Sequence, residues 1–253
     1  MKFGLKFVSL LFFLSIFAVP AQAHSYRYFE KQSNDKAPIM IELFSSQGCS
    51  SCPPAEEWIS TFMKNNKLWD TYFPVSFHVS YWNYLGWKDP FSDRRYSKRQ
   101  YDHLNLLNIR QVYTPQFVVN SHEWRGWFNR DYDSLKQIKT THAPKLTLHI
   151  ENGNIDAFLN EKFVNPSNYQ FHLALVGSGF ETQVTRGENR SKKLKQDFTV
   201  LSFQTLTSND KSHFIGSVEP MPELSKEAKQ LAWVGWIEHE GKVIQAVGDW
   251  LGE

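Results

Sequence analysis

Ile41-Glu42-Leu43-Phe44-Ser45-Ser46-Gln47-Gly48-Cys49-Ser50-Ser51-Cys52-Pro53-Pro54-Ala55-Glu56 decides the fold of this 253-residue chain. Pro38 to Phe44 is apolar but for Glu42, which reads as a buried strand interrupted by one acid. Gln47 to Pro54 reads as a turn. Ala55 to Asn66 places Trp58, Ile59 and Phe62 at helical spacing and stops at Asn65-Asn66, so a helix is expected there. The two cysteines, the only ones in the sequence, therefore sit between a strand and a helix.

In that setting a C-x-x-C pair reads as a thioredoxin-like redox pair. Three other readings compete with it. An inert clip is the plainest, but closing a two-residue gap removes little chain entropy, so the pair makes a weak staple. A zinc site needs four ligands; His78, His103 and His122 are not at zinc-finger spacing. Attached haem needs a histidine directly after the second cysteine, where Pro53 stands. Under the redox reading the nucleophile is a thiolate, and a helix N-terminus favours it through its free N–H groups. Cys49 is then the exposed attacking thiol and Cys52 the resolving one. Pro53 and Pro54 qualify this. A helix starting at Cys49 would have Pro54 in its interior, so the start is expected at Cys52, with Pro53 first. Cys49 then lies farther from the helix amides.

Working outward, Tyr72 to Val79 reads as a second strand and Asp93 to Asn108 as a second helix, with Tyr96, Leu104 and Leu107 on one side. Gln116 to Asn120 reads as a third strand entered through Thr114-Pro115, and Asp131 to Thr140 as a short helix. Beyond His142 the texture changes. Lys145 to Ile150 alternates with period two and Asn152-Gly153 signals a hairpin. Tyr169 to Gly177, Phe198 to Leu206, His213 to Val218 and Leu231 to Val247 read as further strands, with a late turn at Glu240-Gly241. The expected organisation is an α/β domain over 38–142 followed by a small all-β, sandwich-like domain over 143–253.

Met1 to Ala23 reads as a secretory signal: Lys2 and Lys6, an apolar run from Val8 to Val19, and Ala21-Gln22-Ala23 as a cleavage site. Residues 24–37 read as a polar N-terminal tail. The apolar run is shorter than the ~20 residues that span a bilayer, and no later stretch is apolar enough, so no membrane span is expected after cleavage. Of 28 basic residues, Lys2 and Lys6 go with the signal, leaving 26 against 26 acidic ones. A neutral chain has no charge reason to bind nucleic acid or an anionic surface. The expected location is periplasmic or secreted, where disulfides persist. With 20 Phe, 10 Tyr and 9 Trp, the chain is too aromatic for a disordered coil.

The opening stretch resembles the signature of a bacterial secreted family known as the domain of unknown function 1223. So do Phe77-His78-Val79-Ser80-Tyr81-Trp82-Asn83-Tyr84-Leu85-Gly86-Trp87-Lys88-Asp89-Pro90-Phe91, Arg99-Gln100-Tyr101, Val112-Tyr113-Thr114-Pro115-Gln116-Phe117-Val118-Val119-Asn120 and Gly187-Glu188-Asn189. The resemblance implies a thioredoxin-like domain followed by a small β domain. It departs at Ser80, where the family usually shows Asp. Thr114-Pro115 is similar to the pair before the third strand of thioredoxin folds, whose cis bond faces the active disulfide. That likeness implies a cis bond and a substrate-binding role for Thr114 and Pro115. Glu42 is the acid that such enzymes bury beneath the disulfide to move protons, or else a strand acid pointing to solvent. Trp82, Tyr84, Trp87 and Phe91 are expected in core or lid packing, and His78 and His103 as structural histidines. The expected function is an exported thiol–disulfide oxidoreductase acting on protein or small-molecule thiols and disulfides, without cofactor or metal. Its rival is a non-catalytic thioredoxin-like binding module with a structural disulfide.

Overall fold

The computed structural model describes residues 28–161, 169–207 and 212–252. The expected signal, Met1 to Ala23, lies outside the described residues. The first expected strand forms β2 (Ile39–Ser45), and the cysteines lie in the turn after it. The helix that follows, α1 (Pro53–Ser60), begins as expected with Cys52 at its N-cap and prolines at its first two positions. It is shorter than expected, because a 3₁₀ turn over Thr61–Lys64 completes the segment. Next come β3 (Tyr72–His78) and α2 (Arg94–Asn105), whose N-terminus is capped by Asp93 accepting the Arg95 N–H. β4 (Gln116–Val119) and β5 (His122–Glu123) follow. Two short helices, α3 (Gly126–Asn129) and α4 (Asp133–Lys136), replace the single one expected from Asp131, as Arg130 breaks the chain with φ 54°.

β3 pairs parallel to β2, while β4 runs antiparallel to β2 and β5 antiparallel to β4. The helices cover opposite faces. α1 meets the face carrying Ser76, whose hydroxyl bonds Glu56. α2 meets the other, where Tyr96 packs edge-on to Phe77 at 5.5 Å. This alternation follows from the period of two along each strand.

The second half supplies β6 (Leu146–Glu151), β7 (Asn154–Leu159), β8 (Tyr169–Ser178), β9 (Phe180–Gln183) and β10 (Lys193–Gln196). It continues with β11 (Thr199–Thr207), β12 (His213–Ser217), β13 (Gln230–His239) and β14 (Lys242–Trp250). Four of these strands extend the first sheet instead of standing apart from it. The order is β14-β13-β8-β11-β3-β2-β4-β5, eight strands in one sheet. The seam is narrow: β11 meets β3 through Thr199 opposite Ser76, with Ser76 N–H donating to Phe198 O at 2.7 Å. The sandwich is made by a second sheet, in the order β1 (Tyr28–Gln32), β6, β7 and β12, packed on the β-rich end of the first. Leu148, Ile150, Ala157 and Phe214 of the small sheet bury against Phe171, Leu173, Trp233 and Ile237. The segment expected as a polar tail is in part β1 (Tyr28–Gln32), because Phe29 is buried in that interface and pairs with Ile150.

Candidate functional site

Cys49 and Cys52 form a disulfide with Cα atoms 5.5 Å apart. Both are buried, at 2% and 1% exposure, so Cys49 is not the exposed sulfur expected of it. The cover comes from two directions. Trp82 lies over the loop so closely that a Cβ on Gly48 would stand 3.1 Å from Trp82 Cβ. The β-rich half supplies the rest: Asn189 Nδ2 donates to the carbonyls of Gln47 and Cys49, each at 2.9 Å. Glu188 Oε2 accepts the Ser50 N–H at 3.1 Å. Gln47 is held by Thr182 through its Nε2 and by Trp87 Nε1 through its Oε1. Of the four aromatics expected in packing, Trp82 and Trp87 are half-buried and Phe91 is buried, but Tyr84 stands 79% exposed.

A cavity of about 380 Å³ opens beside Cys52. Its wall includes Ser46, Pro53, Glu56, His78 and, from β10, Lys193 to Gln196. Glu56 and His78 are both buried. His78 Nδ1 lies 2.7 Å from Asp89 Oδ2, and His78 Nε2 lies 3.3 Å from Glu56 Oε1 without good hydrogen-bond alignment. Asp89 is itself fixed by the N–H groups of Gln47 and Phe91. Burial alone would lower the imidazole pKa, but the Asp89 and Glu56 carboxylates push it up to about 10. His78 is thus an imidazolium at neutral pH between two carboxylates. Sequence reasoning passed over Glu56. Its signal was its position, one helical turn beyond Cys52 on the same face.

Glu42 stands elsewhere. It is buried, not solvent-facing, but it lies on the α2 face of the sheet, opposite the Ser76–Glu56 face. Arg99 grips it with two bonds of 2.8 Å, and His103 Nε2 lies 3.1 Å from Oε1. Arg99 also pairs with Glu238 of β13. Burial would raise the Glu42 carboxyl, and Arg99 with His103 brings it down to about 2. A carboxylate so matched holds no proton to exchange at neutral pH, and the alternation of the strand turns it away from the cavity.

The Thr114–Pro115 bond is cis. The β2–β4 register ends at Phe44 opposite Gln116, so Pro115 follows at the edge where β2 leads into the cysteine turn. Thr114 Oγ1 accepts from Trp82 Nε1 at 2.7 Å, which joins the proline loop to the residue covering Gly48. Ser80 bonds Ser97 of α2 through its N–H and its hydroxyl.

Fold and site together define a mixed α/β protein with a buried strand-to-helix C-x-x-C disulfide, joined to an extensive β-sheet. The chain belongs to the family described as "Protein of unknown function (DUF1223)", whose profile matches residues 40–237. It is similar to the crystal structure of protein AGR_C_4864 from Agrobacterium tumefaciens, with 23% identity and TM-score 0.60, covering 87% of this chain and 96% of that one. It is also similar to HBP35 of Porphyromonas gingivalis, with 13% identity and TM-score 0.56, covering 86% of this chain and 76% of that one. None of the curated proteins matches. Among the described residues no helix is long and apolar enough to cross a membrane.

Proposed function

We propose that this chain is an exported thiol–disulfide oxidoreductase: a thioredoxin-like unit, joined to a β-rich half, that works through Cys49 and Cys52. The observation that carries the reading is the disulfide at the N-terminus of α1, on the wall of a cavity shared with buried Glu56 and His78. A structural clip needs no buried proton-handling groups beside it. In the reduced state the thiolate fraction of Cys49, its proton lost to solvent, attacks a partner disulfide, forming a mixed disulfide and releasing one partner thiolate that takes up a proton. Cys52 then loses its proton into the cavity and attacks Cys49 Sγ. The Cys49–Cys52 bond re-forms and the second partner thiolate leaves. The partner gains two electrons and the cysteine pair loses them. Thr114, at the same sheet edge, offers backbone groups to an extended partner segment.

The non-catalytic binding module is favoured by one observation, the burial of both cysteines. Trapping separates the two. In the exporting cell Cys52→Ser is expected to accumulate mixed disulfides and Cys49→Ser is not. Equal trapping by both variants overturns the assignment of roles, and trapping by neither supports the module.

A further inference from the structure

The β-rich half bonds the backbone of the cysteine loop through the turn Gly187-Glu188-Asn189. Gly187, at φ 74°, makes the turn against the aromatic segment, where a Cβ would meet Leu85 O and Trp87 Cβ at 3.3 Å. Asn189 is buried; besides its two bonds to the cysteine loop, its Oδ1 accepts from Lys192 Nζ at 2.9 Å. Glu188 is an exposed side chain whose bond to Ser50 holds its carboxyl below the usual range.

A cysteine becomes a thiolate where free N–H groups or cations surround it. Around Cys49 most of those N–H groups are engaged or missing, that of Ser51 being the exception. Ser50 N–H goes to Glu188 and Cys52 N–H to Cys49 O. Pro53 and Pro54 have no N–H, and those of Ala55 and Glu56 close on Cys52 O. Ser51 Oγ, 3.3 Å from Cys49 Sγ, is a neutral hydroxyl. The charges facing the loop from other elements do not favour a thiolate either. His78, Lys193 and Lys195 line the cavity at Cys52, but Glu56 and Glu57 line it too, Asp89 backs His78, and Glu181 pairs with Lys193.

We propose that Glu188 and Asn189 are positioning residues of the cysteine pair, holding the loop so that reduced Cys49 stays a protonated thiol and the pair favours its disulfide. The pair then passes electrons outward, reducing partner disulfides. This rests on the redox reading above. In each cycle a dithiol donor closes to its own disulfide and gives two electrons and two protons to Cys49–Cys52. The reduced pair returns them to a partner disulfide, which opens to two thiols. Enzymes that oxidise their partners do so because their reduced form is stabilised, and the engaged N–H groups and the carboxylates around the loop weaken that stabilisation here.

The test is alkylation of Cys49 against pH in the reduced full-length protein, with the site identified by mass spectrometry. Wild-type Cys49 is expected to titrate at or above about pH 8.5, the value of a free thiol. Glu188→Gln and then Glu188→Lys are expected to lower it stepwise, raising the alkylation rate at pH 7 roughly threefold per charge step. The equilibrium with dithiothreitol at pH 9 should move toward the reduced pair by a similar factor. Asn189→Ala is expected to speed alkylation as the loop is released; should it fail to fold, the Glu188 series, on an exposed side chain, still decides. A wild-type Cys49 titrating below about pH 7, or a Glu188 series without effect, overturns the proposal. The measurement reads only the protein's own cysteines. Its failure therefore leaves the trapping result standing, and a failure to trap leaves it standing in turn.

Discussion

The two faces of the first sheet each bury a cluster of carboxylates and histidine, and they do opposite things with it. On the α2 face, Arg99 sits between Glu42 and Glu238, stacks over Trp236 at 5.6 Å, and leaves both acids well below the carboxylate range. On the α1 face, Glu56, His78 and Asp89 form a chain whose end opens on the cavity at Cys52. Among the described residues no guanidinium pairs with that chain. The difference teaches that a buried acid is not a proton carrier by virtue of burial. The guanidinium partner locks one cluster in charge, and the other borders the cavity at Cys52.

The comparison breaks most sharply at Arg99. Arg99→Met strands two buried carboxylates and is expected to destabilise the fold by about 3–5 kcal/mol. A chain of this size should then melt roughly 6–20 °C lower. A loss under about 1 kcal/mol would mean that the α2-face cluster is not charge-locked.

Titration of stability sharpens it next, with opposite signs on the two faces. Glu42 is depressed from 4.5 to about 2, so the unfolded chain binds the extra proton between those values. Its contribution is fully present above about pH 4.5 and is lost as the pH falls toward 2. His78 is raised from 6.5 to about 10, so the folded chain binds the extra proton. Its contribution is fully present below about pH 6.5 and is lost as the pH rises toward 10. Each limb has a limiting slope of about 1.4 kcal/mol per pH unit. Denaturant titrations across pH should show Glu42→Gln flattening only the acid limb and His78→Gln only the basic one. The pH profile of thiol exchange should move with His78→Gln and stay put with Glu42→Gln.

The smallest expected effect is that of reduction. A two-residue clip constrains the unfolded chain little, so melts with and without reductant should differ by less than the ~2–5 kcal/mol typical of losing a structural disulfide. A collapse on reduction would favour the binding module.

Local signals were legible residue by residue. Asn152-Gly153 turns with φ 51° and 81°, and Glu240-Gly241 with 51° and 71°, the positive pair that a two-residue hairpin requires. Pro53 and Pro54 marked the helix start because their missing N–H groups cost nothing there. Glu42 was recognisable as buried from its apolar strand. Its partners were not, because the face on which an acid emerges matters only once helices are laid on the sheet.

By itself the sequence determined the cysteine turn between a strand and a helix, most strand positions and the hairpin turns. Those features depend on neighbours a few residues away, through period, propensity and turn geometry. Tertiary structure alone decided the rest. It joined β11 to β3 and made one sheet of two expected domains. It brought His78 to Glu56 from 22 positions along the chain and Asn189 to Cys49 from 140. No local pattern encodes such meetings, because a polar side chain is buried only where a distant partner arrives to satisfy it.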